Sequence, residues 1–119
     1  MPQNGALGEQ YAAEQLQKNG DRIVDRNFRC RFGEIDVIAE KDGYIAFVEV
    51  KTRAENSLFS PAEAVSASKR RKLIITAQIY LSRTKSRLQP RFDVFEVVTA
   101  SSNGFRVVRS EHIENAFGA

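Results

Sequence analysis

The chain has 119 residues, of which 42% are hydrophobic and 28% are charged, and its formal net charge is +3. This length suits one domain with its own hydrophobic core, and the composition is that of a globular rather than a disordered protein. No apolar run approaches the ~20 residues of a membrane span, and the single cysteine, Cys30, excludes an internal disulfide. We therefore expect one cytoplasmic domain over residues 1–119, with a loose tail at residues 1–4 and no membrane partner.

The first half of the chain predicts a helix followed by three strands. Residues 6–19 are rich in good helix formers and end at Asn19-Gly20, a common helix stop. The segments RIVDRNFRC, GEIDVIAE and YIAFVEVKT have the branched and aromatic residues that are typical of strands. Between the second and third of these strands, the pair Asp42-Gly43 is the strongest short signal for a hairpin turn.

The second half predicts one more helix and two more strands. Residues 54–64 are turn-rich and contain the breaker Ser60-Pro61, and an apolar stripe then indicates a helix from about Ser66 to Ser82. RFDVFEVVT and FRVVR are predicted as the fourth and fifth strands around the turn SSNG, and SEHIENAF as a short closing helix capped by Ser110. The order αβββαββ predicts an α/β fold, in which helices flank a mixed five-stranded sheet.

Basic residues are concentrated in one part of the chain. Residues 64–92 contain eight lysines and arginines and no aspartate or glutamate, so the net charge of +3 leaves −5 for the remainder. Four of the eight, Lys69, Arg70, Arg71 and Lys72, lie in the first turns of the second helix, where cations oppose the helix dipole at about 0.3–1 kcal/mol each. A phosphate bound at the helix start would account for them, and a solvated basic face is the alternative. The segment predicts a polyanionic partner such as nucleic acid.

The predicted hairpin sets two carboxylates side by side. With Asp42-Gly43 as a two-residue loop, counting back along both strands places Asp36 opposite Glu49. The next pair, Glu34 opposite Lys51, lies on the same sheet face because side chains alternate. Two carboxylates about 5 Å apart repel by roughly 3 kcal/mol at an effective dielectric constant near 20. A change of register by one residue would set Asp36 against a valine instead and remove the carboxylate pair.

Three arrangements relieve such a repulsion: a shared proton, a neighbouring cation or a bound metal ion. Mg²⁺ suits the geometry because it favours one or two carboxylates together with waters and phosphate oxygens. The candidate ligands are Asp36, Glu49 and the backbone carbonyl of Val50, and Lys51 would lie beside the metal, where it stabilises developing charge. A charged pair on a solvated sheet face is the alternative explanation.

Fewer residues of this chain support other kinds of active site. His112 is the only histidine, so a Ser-His-Asp triad would have to rest on the C-terminal segment, and zinc sites lack cysteine and histidine ligands. The glycine patterns that bind nucleotide phosphates are absent. Packing within a strand accounts for Cys30.

Glu9 is predicted to point inward from the first helix. At 100° per residue it lies in the middle of the helix face that carries the small residues and Leu16. Burying a carboxylate without a partner is costly. Either Glu9 forms a salt bridge to an arginine such as Arg53, or it joins the pair Asp36–Glu49 as an acid that holds water or a lysine.

An aspartate followed by a Glu-x-Lys triplet on the next strand, behind a helix that carries a glutamate, resembles the PD-(D/E)XK nuclease superfamily. The chain is more closely similar to the YraN-type family of small bacterial proteins, and the similarity spans residues 5–98. The residues that carry it are Gly5, Gly8-Glu9, Ala12, Leu16, Gly20, Asn27, Gly33-Glu34-Ile35-Asp36, Phe47 to Arg53, Lys69, Ala77 and Tyr80-Leu81. In element order the chain is also similar to archaeal Holliday-junction resolvases.

The resemblance implies a restriction-endonuclease-like core, Mg²⁺ or Mn²⁺ as cofactor and hydrolysis of phosphodiester bonds. It also implies Asp36 and Glu49 as metal ligands, Lys51 as the catalytic lysine and Glu9 as an accessory acid. From the resemblance we expect an endonuclease-like enzyme that acts on nucleic acid, with branched or structured DNA as the first substrate to test.

Two other classes of function stay open. One is a nucleic-acid-binding module that keeps the fold but cleaves nothing, and the other is an assembly protein whose basic face docks an acidic partner. In both the nuclease and the binding module, Arg53 and the basic cluster Lys69, Arg70, Arg71 and Lys72 are the expected contacts to nucleic acid. A homodimer that spans the substrate is an arrangement that the sequence leaves open.

Overall fold

The computed structural model describes residues 4–56, 65–101 and 104–118. Seven elements follow one another: α1 (Asn4–Lys18), β1 (Arg22–Cys30), β2 (Gly33–Lys41), β3 (Tyr44–Ala54), α2 (Ala67–Thr84), β4 (Gln89–Thr99) and β5 (Val107–Phe117). The predicted order αβββαββ is confirmed, and the first three strands agree with their predicted bounds within two residues. Asn4 is the first residue of α1, so the predicted loose tail does not include it. The predicted breaker Ser60-Pro61 and part of the predicted turn SSNG lie outside the described residues.

The five strands form one mixed sheet in the order β1-β2-β3-β4-β5. Strands β3 and β4 are parallel, whereas the other neighbours are antiparallel. Parallel neighbours need a crossover connection, and α2 supplies it between β3 and β4. The α/β class and the mixed sheet that the sequence predicts are therefore confirmed.

The two helices cover opposite faces of the sheet. On one face, α1 packs its small residues and Leu16 against β-strand residues that include Val37 and Val48. On the other face, α2 packs Leu73 and Tyr80 against a second group of strand residues. Ile38 of β2 and Phe47 of β3 belong to this second group, and Glu49 lies on the same side because side chains alternate along β3.

Helix α1 approaches β3 very closely at one point. A Cβ atom added to Gly8 would overlap Oγ1 of Thr52, so only glycine fits there without a shift. This contact fixes the N-terminal half of α1 beside the C-terminal half of β3. Glu9, the next residue, is thereby held at the end of the sheet where β2 and β3 carry their charged residues.

The hairpin between β2 and β3 has the predicted two-residue turn. Asp42 and Gly43 have φ angles of 52° and 83°, and two consecutive positive φ values are the mark of the type I′ turn that matches strand twist. The backbone register runs from Lys41–Tyr44 to Val37–Val48, as predicted.

The predicted closing helix SEHIENAF is wrong, because these residues belong to β5, which pairs antiparallel with β4. Ser110 is therefore a strand residue opposite Val97 and not a helix cap. Two register shifts in the β4–β5 ladder interrupt the alternation of apolar and polar residues, which hides the strand from a periodicity reading. Of the predicted strand FRVVR, residues Val107 to Arg109 form the first part of β5, whereas Phe105 and Arg106 precede it. Within the described residues, neither helix is long and apolar enough to cross a membrane.

Candidate active site

Strands β2 and β3 separate just beyond the pair Val37–Val48. The backbone ladder ends there, and the next donor on β3, the N–H of Val50, donates instead to Oδ2 of Asp36 at 2.8 Å. Because the N–H and C=O of a strand residue point to the same side, the Val50 carbonyl also faces β2. The predicted opposition of Asp36 and Glu49 is thus not a backbone pair of the ladder. Asp36 instead fills the fork between the two strands, beside Glu49.

Glu49 is buried, and one of its carboxylate oxygens forms ion pairs with two lysines. Lys69 Nζ lies 2.5 Å and Lys51 Nζ 3.4 Å from Glu49 Oε1. Lys51 follows Glu49 on β3, as the sequence predicts, whereas Lys69 comes from the first turn of α2. The N-terminal end of α2 therefore delivers a cation to the carboxylate pair.

Asp36 is close to its titration point at neutral pH. Burial, together with the charges of Glu49 and Glu9, raises the pKa of its carboxyl to about 7, although the N–H of Val50 and the charge of Lys69 act in the opposite direction. Burial, and after it the contact with Lys69, lowers the pKa of Lys51. Perturbed groups that face one another in this way are typical of functional sites.

Glu9 joins the edge of this site through Asn27. With the Asn27 amide nitrogen facing the carboxylates, it lies 2.7 Å from Oε1 of Glu9 and 3.2 Å from Oε1 of Glu34. Burial, followed by the charge of Glu34, raises the pKa of Glu9. Arg53, the partner considered for Glu9 on sequence grounds, donates instead to Glu96 Oε2 at 2.6 Å.

The basic cluster at the start of α2 is divided between two directions. Lys69 turns into the site and Lys72 lines it, but Arg70 donates to the carbonyl of Val65 at 3.0 Å and lies over the ring of Phe117. Arg71 is exposed. The four residues that the sequence groups together therefore do not act as one surface.

The carboxylates open into a small recess. Its volume is about 200 Å³. Its walls are Gly33, Glu34, Asp36, Glu49, Lys69, Lys72 and Leu73. The recess thus joins the fork between β2 and β3 to the first turns of α2.

The donor set of the recess fits a divalent metal with few protein ligands. Among the described residues, no three carboxylate, histidine or cysteine side chains cluster around one point, so a site caged entirely by side chains is absent there. Mg²⁺ is usually bound by one or two carboxylates and completed by waters and substrate phosphate oxygens. Asp36, Glu49 and the Val50 carbonyl meet that requirement, and the ammonium of Lys69 on Glu49 marks the position where positive charge is needed.

Two residues of the site escaped sequence reasoning in the roles they have. Lys69 was expected to contact nucleic acid at the helix start, and its position on Glu49 depends on how α2 docks against β3. Asn27 was noticed only as part of the family pattern. Its φ of 55° is a backbone signal that favours asparagine, but sequence alone does not show that its amide would bridge Glu9 and Glu34.

Comparison with known proteins supports the family resemblance that the sequence indicates. The model of "Uncharacterised protein family UPF0102" matches residues 8–97. A UPF0102 protein of Symbiobacterium thermophilum is 47% identical over 97% of this chain and 96% of its own length. Others from Persephonella marina and Caldanaerobacter subterraneus are 45% and 41% identical, and each alignment covers 95% of this chain and 91% and 93% of the relative. The match spans β1 to β4 and most of α1, and the chain belongs to the UPF0102 family of YraN-type proteins.

Proposed function

We propose that this protein hydrolyses phosphodiester bonds in nucleic acid, with Mg²⁺ or Mn²⁺ held by Asp36, Glu49 and the carbonyl of Val50. The observation that carries the proposal is the fork between β2 and β3, in which the half-buried Asp36 and the buried Glu49 lie beside the ammonium groups of Lys51 and Lys69. Such a pair binds a cation and positions a phosphate beside it. We take DNA as the first substrate and the cytoplasm as the location, the latter from the single cysteine.

Each residue has a role that follows from its contacts. A bound divalent cation neutralises the phosphate and stabilises the charge that develops during hydrolysis. Lys51, whose pKa is lowered by burial, donates a hydrogen bond to a phosphate oxygen as negative charge builds on it. Lys69 now pairs with Glu49, and a metal ion on that carboxylate would take its place and leave the ammonium group of Lys69 free to contact the phosphate. Glu9 and Asn27 hold the open edge of the recess.

A nucleic-acid-binding module without cleavage activity is the second candidate. The ion pair between Lys69 and Glu49 favours it, because that pair gives a buried glutamate a partner that needs no metal. The two candidates differ in what Lys51 does. In a nuclease it acts mainly in the transition state, whereas in a binding module it is only one contact among several.

The deciding experiment is cleavage of a labelled panel that contains single strands, flaps, junctions, duplexes and RNA, with Mg²⁺ or Mn²⁺. We expect Asp36→Asn and Glu49→Gln to abolish cleavage. Lys51→Ala should lower the rate far more than the affinity, and Glu9→Gln should lower the rate at least tenfold, about 1.4 kcal/mol of barrier.

Matched controls exist for strand β2 and for helix α1. Glu40→Gln changes the same type of charge on β2 at the far end of the strand, and Glu14→Gln does so on the exposed side of α1. Both should leave cleavage unchanged. No cleavage of any substrate by the unmodified protein, together with intact nucleic-acid binding, would establish the binding module instead.

A further inference from the structure

The turn between β1 and β2 presents an exposed aromatic ring. Phe32 is 40% exposed, and the guanidinium of Arg31 lies 4.7 Å from its ring centroid. The turn is also firmly seated, because a Cβ atom on Gly33 would come within 3.0 Å of Thr76 Oγ1. Cys30 Sγ lies 3.7 Å from the same oxygen. The turn therefore packs against Thr76 of α2 and leaves the ring of Phe32 exposed to solvent.

Phe32 forms one wall of a groove along the outer side of α2, which we call the Phe32 groove. Its volume is about 380 Å³. Its lining residues are Phe32, Ile75, Gln78, Ile79, Ser82 and Arg83. Ile75 is 39% exposed, so two large apolar side chains share this open surface. Singly exposed apolar residues are ordinary, whereas here two of them share one groove.

The rim of the Phe32 groove is cationic. Arg31 and Arg83 flank it, and Lys72 lies one helical turn from Ile75 on α2. Residues 64–92, which include the whole of α2, contain no aspartate or glutamate. An apolar floor between positive charges is complementary to a nucleotide, which has an apolar base and an anionic phosphate.

The groove lies next to the candidate active site, because residues adjacent to its lining also line the recess. Gly33, next to Phe32 in sequence, and Lys72 both line the recess that contains Asp36 and Glu49. Phe32 precedes Asp36 by four residues, which is at most about 13 Å along an extended chain. One short stretch of nucleic acid therefore reaches both places.

We propose that the Phe32 groove binds an unpaired nucleobase of a single-stranded segment that runs into the Asp36–Glu49 recess. In a duplex both faces of a base are covered by its neighbours, so only an unstacked base can lie on the ring of Phe32. This assignment rests on the proposed function for its substrate class. It names the substrates as single strands or branched molecules that have unpaired nucleotides beside the bond that is cleaved.

The chain contains no tryptophan, so Phe32→Trp introduces a single fluorescent reporter in the groove. We expect a single-stranded oligonucleotide to quench this fluorescence in the absence of divalent metal and a duplex of the same sequence to leave it unchanged. Tyr44→Trp is the matched control, because Tyr44 is 43% exposed and has Arg91 over its ring at 5.3 Å. Tyr44 begins β3, whereas the site residues Glu49 and Lys51 lie in the later part of that strand. Equal quenching at both positions, or none at position 32, would overturn the proposal.

A second measurement tests the same surface without a new side chain. Because stacking on one aromatic contributes about 1–3 kcal/mol per base, Phe32→Ala should weaken single-strand binding about fivefold or more in fluorescence anisotropy. Duplex binding should stay the same, and so should both affinities in Tyr44→Ala. These assays contain no metal and follow no cleavage, so their failure is separate from a failure of the nuclease proposal. If Phe32→Ala instead converts a dimer to a monomer in sedimentation and leaves single-strand affinity intact, the groove is a contact between two copies and the proposal falls.

Discussion

Asp36 and Glu49 place two carboxylates side by side at a fork of the sheet, and their surroundings favour two of the three ways to relieve the repulsion, a proton on Asp36 and cations beside Glu49. Burial brings the pKa of Asp36 to about 7, so it carries a proton much of the time at neutral pH. Lys69 and Lys51 neutralise Glu49. The side chain of Lys69 is 41% exposed, so water screens and weakens its ion pair with Glu49.

We predict that Lys69→Met strengthens Mn²⁺ binding, because Lys69 and the metal compete for the same oxygen of Glu49. A half-exposed ion pair contributes up to about 1 kcal/mol, so the gain in affinity should be up to about fivefold. Calorimetric titration of the protein with Mn²⁺ gives the affinity directly and needs no cleavage.

Arg70→Met is the matched control for this titration. It removes one positive charge from the neighbouring residue, but Arg70 contacts Val65 and Phe117 rather than the carboxylates. Its effect on Mn²⁺ affinity should therefore be small. Unchanged or weaker binding in Lys69→Met would mean that Lys69 helps to hold the metal site and does not compete for it.

We predict that Asp36→Asn makes the metal-free protein more stable above pH 7. The folded pKa of about 7 lies above the ordinary 3.8, so the folded state binds more protons than the unfolded state between these values. The free energy of unfolding therefore falls as pH rises from about 4 to 7 in the unmodified protein. Asparagine removes this loss, so the two melting temperatures should diverge as pH rises through that window. A variant that melts lower at pH 8 would identify Asp36 as a structural group.

At the residue scale, the sequence predicted those site residues whose positions depend only on the geometry of the hairpin. Asp36, Glu49 and Lys51 follow from the two-residue turn and from counting back along the hairpin. The exact relation of Asp36 to Val50 did not follow, since the strands separate where a side chain replaces a backbone acceptor. Lys69 was also out of reach, because its place depends on how a helix docks on strands that precede it by about 20 residues.

At the scale of elements, β5 is attached to β4 through a buried carboxylate. Asp93 is fully buried and accepts hydrogen bonds from Arg91 and from the N–H of Asn115, and His112 Nε2 lies 2.7 Å from its Oδ2. Arg91 and Asp93 lie on β4, whereas His112 and Asn115 lie on β5. The carboxylate thus holds the C-terminal strand where the ladder shifts register between Phe92 and Val94.

We predict that Asp93→Asn destabilises the protein at neutral pH by about 3–5 kcal/mol, because it removes the fully buried carboxylate that pairs with the guanidinium of Arg91. Burial opposes ionisation of Asp93, but the bonds from His112, Arg91 and Asn115 outweigh it and lower its pKa. A lowered carboxyl pKa stabilises the folded state above the ordinary value of 3.8, and this contribution is lost as pH falls through the folded pKa. The gap between variant and unmodified protein should therefore narrow below pH 4 in urea titrations.

Glu111→Gln, an exposed change on β5, is the control for the Asp93 measurement and should alter the stability little. A pH-independent gap for Asp93→Asn would show that shape, and not charge, is what Asp93 contributes.

The pairing of β5 with β4 also explains why the predicted closing helix is wrong. SEHIENAF carries residues that suit a helix, but its pairing with the buried strand β4 overrides that local preference, and no residue of the segment signals the pairing by itself.

At the scale of the whole molecule, the uneven charge noted in the sequence acquires a location. The acid-free segment of residues 64–92 contains α2, whose first turns line the recess and whose outer side lines the Phe32 groove. Both surfaces therefore draw their positive charge from one helix. The sequence predicted a polyanion partner for this helix, but it did not show which of the cations face outward.

We predict that the salt dependence of nucleic-acid binding comes from the outward-facing cations of α2. Arg71 and Lys72 are exposed, whereas Lys69 is bonded to Glu49 and Arg70 to Val65. Replacing Arg71 and Lys72 by glutamine should flatten the plot of log affinity against log salt by about 0.7 for each lost contact to a single strand. Arg70→Gln changes the same charge next to them but should leave the slope alone. The measurement is anisotropy of a labelled single strand over a series of salt concentrations. An equal flattening in all three variants would mean that the protein attracts nucleic acid through its overall charge, and an unaltered slope in the Arg71 and Lys72 variants would mean that this side of α2 faces only solvent.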